Sequence, residues 1–252
     1  MECPRGPAAP IHVRLLLLLC LVATPLAAAP RKFASGATRV HLLELYSSEG
    51  CSSCPPAEQW LGQLRGEPGL WRDFVPVAFP VTYWDHLGWR DRLARPEFTA
   101  RQYAYAGRWG SDSVYTPGFV LDGAEWRAGF ARHLPPPARE TAGVLTVEYA
   151  DDGACRVGFA TTGDYDVHVA VLGGGITSAV HAGENEGRTL QHEFVVLAMA
   201  DAPLKAGAVE IKLPQPVVTG VTRHALAVWV TRRGDLAPVQ ATGGWLDQSG
   251  SN

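Results

Sequence analysis

The chain has 252 residues, a formal net charge of −3 and 46% hydrophobic residues. That length fits one large domain or two small ones, and the near-balanced charge gives no electrostatic case for nucleic acid or an anionic membrane as partner. With 27 glycines and 19 prolines the composition is that of a globular protein rich in turns.

The N-terminus carries Arg5 and Arg14, the apolar run Leu15–Val22 ("LLLLLCLV") and the small-residue tract Ala27–Ala29. Basic start, short apolar stretch and small-residue exit are the layout of a secretory signal peptide, expected over residues 1–29. The apolar run is short for a membrane span, so an uncleaved anchor is the weaker reading. The expectation is an exported chain, periplasmic or secreted, with no membrane span once the signal is removed. Cys3 and Cys20 leave with the signal. Cys51, Cys54 and Cys155 remain, an odd number in an oxidising compartment. Cys155, within "ACRVGFAT", reads as a buried small hydrophobe.

The first half alternates strand and helix signals. Val40–Leu45 is an apolar run suited to a buried strand, and Ala57–Leu64 has helical spacing in Trp60, Leu61 and Leu64. Phe74–Phe79 reads as a second strand. A long aromatic loop, Val81–Asp91, precedes a helix over Pro96–Trp109. Phe119–Leu121 and Glu125–Ala128 read as a hairpin around Asp122-Gly123. The triple proline Pro135–Pro137 marks a stiff connector over residues 135–142. Beyond it come six short strand-like runs: Val144–Tyr149, Arg156–Thr161, Asp166–Leu172, Leu190–Leu197, Val209–Leu213 and Ala225–Thr231. Their spacing suggests a smaller all-β sandwich-like domain over residues 143–247.

"EGCSSCPPAEQ" (Glu49–Gln59) is the stretch with the most chemistry. Cys51 and Cys54 sit between a buried strand and a helix start, where backbone amides favour thiolate over thiol. The two-residue spacing lets the second sulfur resolve a mixed disulfide formed by the first. Half a zinc site has the same spacing, but the mature chain offers no second Cys-x-x-Cys pair. Pro55 and Pro56 suit the first helical positions, which puts Cys54 at the helix edge and Cys51 in the turn outside it. Glu49, two residues upstream, disfavours a second negative charge on Cys51.

Tyr115-Thr116-Pro117 directly precedes "GFVLDG" and resembles the cis-proline loop of the thioredoxin superfamily. That resemblance places Pro117, with Thr116 before it, against the dithiol as the segment that holds substrate backbone. The ordinary alternative is a trans turn proline. "LELYSSEGCSSCPPAEQWLGQL", Tyr83–Asp91, "FTARQYAYA", "VYTPGFVLDG" and "GENEGRTL" together resemble the secreted thioredoxin-like family known as domain of unknown function 1223, over about Val40 to Leu246. The resemblance implies an α/β thioredoxin-like domain, here residues 38–134, followed by the all-β domain. The family pattern commonly has a His and an Asp where Pro80 and Thr82 stand here, a departure that bears on catalysis.

Around the dithiol, Asp85 or His86 in the aromatic loop is a candidate for moving a proton, and Glu49 stands beside them as a residue near the sulfurs. The competing reading is a loop packed down by Trp84 and Trp89. Arg101 and Gln102 are expected to hold that loop by hydrogen bonds. In "GENEGR" the expectation is an ion pair between Glu184 and Arg188 that fixes the second half beside the dithiol, against a plain polar turn.

Three functions fit. The first is an exported thiol–disulfide oxidoreductase acting on a protein or small thiol/disulfide substrate, with Cys51 and Cys54 catalytic, Thr116 and Pro117 binding substrate, and no cofactor. The second is a non-catalytic secreted binding protein in which Cys51–Cys54 is a structural disulfide. The third is a copper-handling protein using Cys51, Cys54 and His86, since soft thiolates suit Cu(I). No metal site is expected under the first reading.

Overall fold

The computed structural model of the protein describes residues 1–2 and 29–247. All but residues 1, 2 and 29 of the expected signal peptide therefore lie outside the described residues. Among those described, no helix is long and apolar enough to cross a membrane.

The first half contains β1 (Arg31–Ala34), β2 (His41–Ser47), α1 (Pro55–Gln63), β3 (Phe74–Pro80), α2 (Pro96–Arg108), β4 (Gly118–Leu121) and β5 (Ala124–Glu125). The second half follows as β6 (Leu145–Tyr149), β7 (Ala154–Phe159), β8 (Tyr165–Gly174), β9 (Ile176–Ala179), β10 (Thr189–His192), β11 (Val195–Pro203), β12 (Ala208–Lys212), β13 (Arg223–Arg232) and β14 (Pro238–Trp245). Local pattern places most of these within a few residues. Three strands, β1, β9 and β14, were not expected. The predicted run Leu190–Leu197 is two strands, broken at Phe194, whose φ of 56° leaves the extended region. The predicted hairpin partner Glu125–Ala128 is only the two-residue β5 followed by a 3-10 turn, Arg127–Ala131.

The expected fold class, an α/β thioredoxin-like domain followed by a smaller all-β sandwich-like domain, is not the one that forms. Strand accounts for 40% of the structure and helix for 15%, in large mixed sheets, and thioredoxin-like is the wrong description of this chain. One eight-stranded sheet, in the order β14-β13-β8-β11-β3-β2-β4-β5, draws strands from both halves. A four-stranded sheet, β1-β6-β7-β12, also mixes them, since β1 pairs antiparallel with β6.

The reason lies in what the alternating strands alternate between. Along β8, Val167, Val169 and Val171 belong to one core, while Ala170 and Leu172 belong to the other. Along β13, Leu226, Val228 and Val230 face the first core, and Ala225, Ala227 and Trp229 the second. Alternation in "VHVAV" and "ALAVWV" is thus between two buried faces, not between core and solvent. One face packs on Leu145, Val147, Val157 and Phe159 of the four-stranded sheet. The other shares a core with Leu43, Phe79, and Trp60 and Leu61 of α1.

Within the eight-stranded sheet the junction between the halves is narrow in backbone terms. β3 pairs in parallel with β11 through Val195 and Ala78 alone, with Ala78 N–H donating to the Phe194 carbonyl at 2.8 Å. N–H groups two residues apart on a strand point the same way, so Pro76 and Pro80 occupy the neighbouring β11-facing positions, where neither has an N–H to give. β3 is fully buried regardless, and the side-chain core is continuous across this seam.

Candidate functional site

The site forms where β2 ends. β2 is an interior strand, paired in parallel with β3 and antiparallel with β4, so its C-terminal end lies beside the start of β4. The chain then turns through Ser48–Ser53 into α1. Gly50 is required there by close approach: a Cβ at this position would lie 2.8 Å from the Trp84 Cβ and 3.3 Å from its carbonyl oxygen. Cys54 caps α1, and its carbonyl accepts from Ala57 and Glu58. Pro55 begins the helix as its sequence position predicts, although Cys54 keeps helical angles (φ −75°, ψ −38°) that a residue before proline usually avoids. Cys54 N–H donates to the Cys51 carbonyl at 3.2 Å, closing the Cys-x-x-Cys turn.

The predicted residues around this turn come together. The Thr116–Pro117 bond is cis. Cys51 Sγ lies 3.7 Å from the Thr116 carbonyl oxygen and 3.2 Å from Ser53 Oγ. Trp84 Nε1 donates to Thr116 Oγ1 at 2.7 Å and fixes that side chain beside the turn. Gln102 holds the same loop, donating to the Tyr115 carbonyl at 2.7 Å and accepting from Tyr83 OH at 3.3 Å.

The two thiols are strongly unlike. Hydrogen bonding from Cys54, Ser53 and Thr116 outweighs burial and brings Cys51 down to about 6. Burial, then the adjoining Cys51 sulfur, push Cys54 well above the usual thiol range. Both side chains are nearly inaccessible, at 1% and 0% exposure, and all three described cysteines are free. Cys155 is buried in β7, and burial pushes its thiol up to about 12, as expected of an inert packing residue.

Glu49 is placed differently from the expectation that it would only oppose a thiolate. It is fully buried and accepts from Trp89 Nε1 at 2.6 Å, and its Oε1 lies 3.1 Å from His192 Nε2. The other nitrogen of His192 is 2.6 Å from Glu58 Oε2 on α1. Burial works against the Glu49 charge, but His192, Ser178 and Trp89 hold its carboxyl below the usual range. Burial also works against charge on His192, yet Glu58 and Glu49 on either side carry it up to about 10. Asp91, which accepts from Glu49 N–H at 3.1 Å, is raised to about 7 by burial and by the Glu49 charge. A cation is thus clamped between two carboxylates directly behind the dithiol turn, with a third carboxyl, Asp91, beside them and raised above the usual range.

His86 makes no hydrogen bond to this group, and Asp85 reaches it only through the backbone of Asp91. Asp85 accepts from Asp91 N–H at 3.3 Å, and His86, which is exposed, pairs its Nδ1 with the Tyr83 carbonyl at 2.8 Å. Their neighbours Trp84 and Trp89 are the loop residues that reach the site. Arg101 does not hold the loop either: it forms a buried ion pair with Glu44 at 2.8 Å, and Tyr46 and Tyr105 donate to the same carboxylate. The expected Glu184–Arg188 pair is absent among the described contacts. Arg188 instead donates to Asn185 Oδ1 at 2.7 Å, and Glu184 accepts from Ser52 N–H and Oγ at 2.9 and 2.7 Å. Asn185 Nδ2 donates to the carbonyls of Glu49 and Cys51, at 2.9 Å each. The polar segment between β9 and β10 does sit beside the dithiol, by different bonds from those foreseen.

Asn185, Glu58 and His192 were not singled out as site residues from the sequence. The clustering of "GENEGR" and the nearness of His192 to it are the only signals that pointed their way. Among the described residues no group of three or more His, Cys, Asp or Glu side chains is arranged to hold a metal.

Among solved structures, protein AGR_C_4864 from Agrobacterium tumefaciens is similar at 27% identity and a TM-score of 0.60, over 86% of this chain and 99% of that one. HBP35 of Porphyromonas gingivalis is similar in fold alone, at 13% identity and a TM-score of 0.52, over 85% of this chain and 77% of that one. No curated protein matches the chain. The model of the family described as protein of unknown function (DUF1223) matches residues 42–231, most of the chain, and the protein belongs to that family.

Proposed function

We propose that this chain is an exported thiol–disulfide exchange protein whose reacting groups are Cys51 and Cys54. The observation that carries the reading is the placement of the pair: Cys51 Sγ lies 3.2 Å from Ser53 Oγ and 3.7 Å from the Thr116 carbonyl oxygen, and Cys54 caps α1 on the same turn. Hydrogen bonding lowers Cys51 to about 6, which favours its thiolate above that pH, while burial holds Cys54 as thiol beside it. That is the division of roles exchange requires.

In the reducing direction, the Cys51 thiolate attacks one sulfur of a substrate disulfide. A Cys51–substrate disulfide forms and the other substrate sulfur leaves as thiolate. Cys54 then gives up its proton and attacks Cys51, releasing the second substrate thiol. The protein pair is oxidised by two electrons and the substrate disulfide is reduced by two. The same steps in reverse oxidise a substrate dithiol. Thr116 and Pro117, against Cys51, present backbone groups where the substrate strand adjoining its sulfur would lie. The N-terminal layout of Arg5, Arg14 and "LLLLLCLV" supports export to an oxidising compartment.

A second reading, a structural Cys51–Cys54 disulfide in a binding protein, is favoured by the near-complete burial of both sulfurs. A redox titration of the mature protein, with mass detection of the pair, separates the two. A potential above about −300 mV supports exchange, and one below it supports a structural bond.

A further inference from the structure

We propose that the polar turn Glu184–Arg188 is part of the dithiol machinery and sets the reactivity of Cys51 from two sides, with Asn185 promoting the thiolate and Glu184 opposing it. The proposal deepens the exchange reading, on which it rests for taking Cys51 as the attacking group.

Asn185 is fully buried, and its side-chain amide has a fixed orientation. Arg188 donates to Oδ1, so the guanidinium can face only the oxygen end, and both amide hydrogens are left for the Glu49 and Cys51 carbonyls. The Cys51 carbonyl is the same one that accepts Cys54 N–H and closes the turn. Asn185 therefore ties the turn at the peptide next to the reactive sulfur and at the peptide two residues before it. A turn held there keeps Ser53 Oγ at 3.2 Å from Cys51 Sγ. Ser53, through its side chain and its backbone, is among the groups that lower the Cys51 thiol. Asn185 touches neither sulfur and is a positioning residue.

Glu184 acts in the other sense. Its exposed carboxylate takes the N–H and hydroxyl of Ser52, immediately after Cys51. It engages one amide of the turn and sets a negative charge near the sulfur, which disfavours a second one. No sequence-local feature would make this segment part of the site: it lies 134 residues from Cys51 and arrives only because β9 and β10 form a separate two-stranded ribbon carrying it there.

The test is the pH profile of Cys51 alkylation by iodoacetamide in the reduced mature chain, mapped by mass, for wild type, Asn185→Leu and Glu184→Gln. Leu keeps the branching and heavy-atom count of Asn and removes its donors and acceptor. Asn185→Leu is expected to raise the midpoint by about one unit, slowing alkylation at pH 6 about fivefold. Glu184→Gln is expected to lower it. An unchanged midpoint in Asn185→Leu, with only a fall in melting temperature, overturns the proposal in favour of a structural latch. If Asn185→Leu does not fold, Glu184→Gln, a change at an exposed side chain, decides: a midpoint that stays or rises overturns the proposal. The readout needs no substrate, so opposite shifts in the two variants stand even if the protein exchanges no disulfide.

Discussion

His192 Nδ1 lies 2.6 Å from Glu58 Oε2, joining a strand of the second half to the helix that begins at the dithiol. Its Nε2 is 3.1 Å from Glu49, so one buried imidazolium offsets a buried carboxylate and a partly buried one. Removing that cation leaves both anions without a counter-charge. His192→Gln is expected to cost about 3–5 kcal/mol, the penalty for breaking a buried ion pair. Urea unfolding at pH 7 measures it, and a loss under about 1 kcal/mol would show that the cluster is neutral.

The same residue predicts a pH dependence. His192 is raised from 6.5 to about 10, so the folded protein holds the proton more tightly than the unfolded chain. Its contribution is complete below pH 6.5 and drains as pH rises through 10. Cys51, lowered to about 6, adds stability as pH rises over part of the same window and masks the loss. In a Cys51→Ser background the slope between pH 7 and 10 should therefore fall with His192 present and flatten in His192→Gln. Equal slopes in the two proteins would refute the assignment.

The roles of the two sulfurs predict a trapping pattern. Cys54→Ser should accumulate mixed disulfides on Cys51, because the intermediate forms and no resolving thiolate is left. Cys51→Ser should trap little, since the remaining thiol is deeply buried and held protonated. Mass mapping of non-reducing bands reads both. Trapping by Cys51→Ser alone would reverse the roles.

Thr116 predicts a shift in Cys51 itself. Its hydroxyl accepts from Trp84 Nε1, and as a donor its side chain is among the groups that lower the Cys51 thiol. Thr116→Val keeps the shape and removes that donor, so the Cys51 alkylation midpoint should rise from about 6 by something on the order of half a unit to one unit. Trp84→Phe should give a smaller rise, because Thr116 keeps its hydroxyl but loses the group that orients it. A midpoint unmoved by Thr116→Val removes this residue from the site.

The sheet predicts how the chain folds. β3 lies between β2 and β11, and the core containing Phe79 and Trp60 also contains Ala170, Ala225 and Trp229. A fragment of residues 38–134 should thus fail to give a cooperative unfolding transition, while the whole mature chain should unfold in a single one. A fragment that melts sharply with native-like circular dichroism would show that the first half is independent after all.

Local pattern in the sequence determined the Cys-x-x-Cys turn before α1, the proline start of both helices, the Thr116–Pro117 loop ahead of β4 and most strand positions. These follow from spacing, capping chemistry and backbone limits that act within a few residues. Tertiary structure alone decided that the strands of the second half enter the sheet of the first. Alternation in β8 and β13 specifies two faces, and no residue in those strands says whether the second face meets water or another core. Asn185, His192 and Glu58 became site residues for a similar reason. A buried cation or amide is stabilised only by partners at the right distance, and those partners lie more than a hundred residues away along the chain.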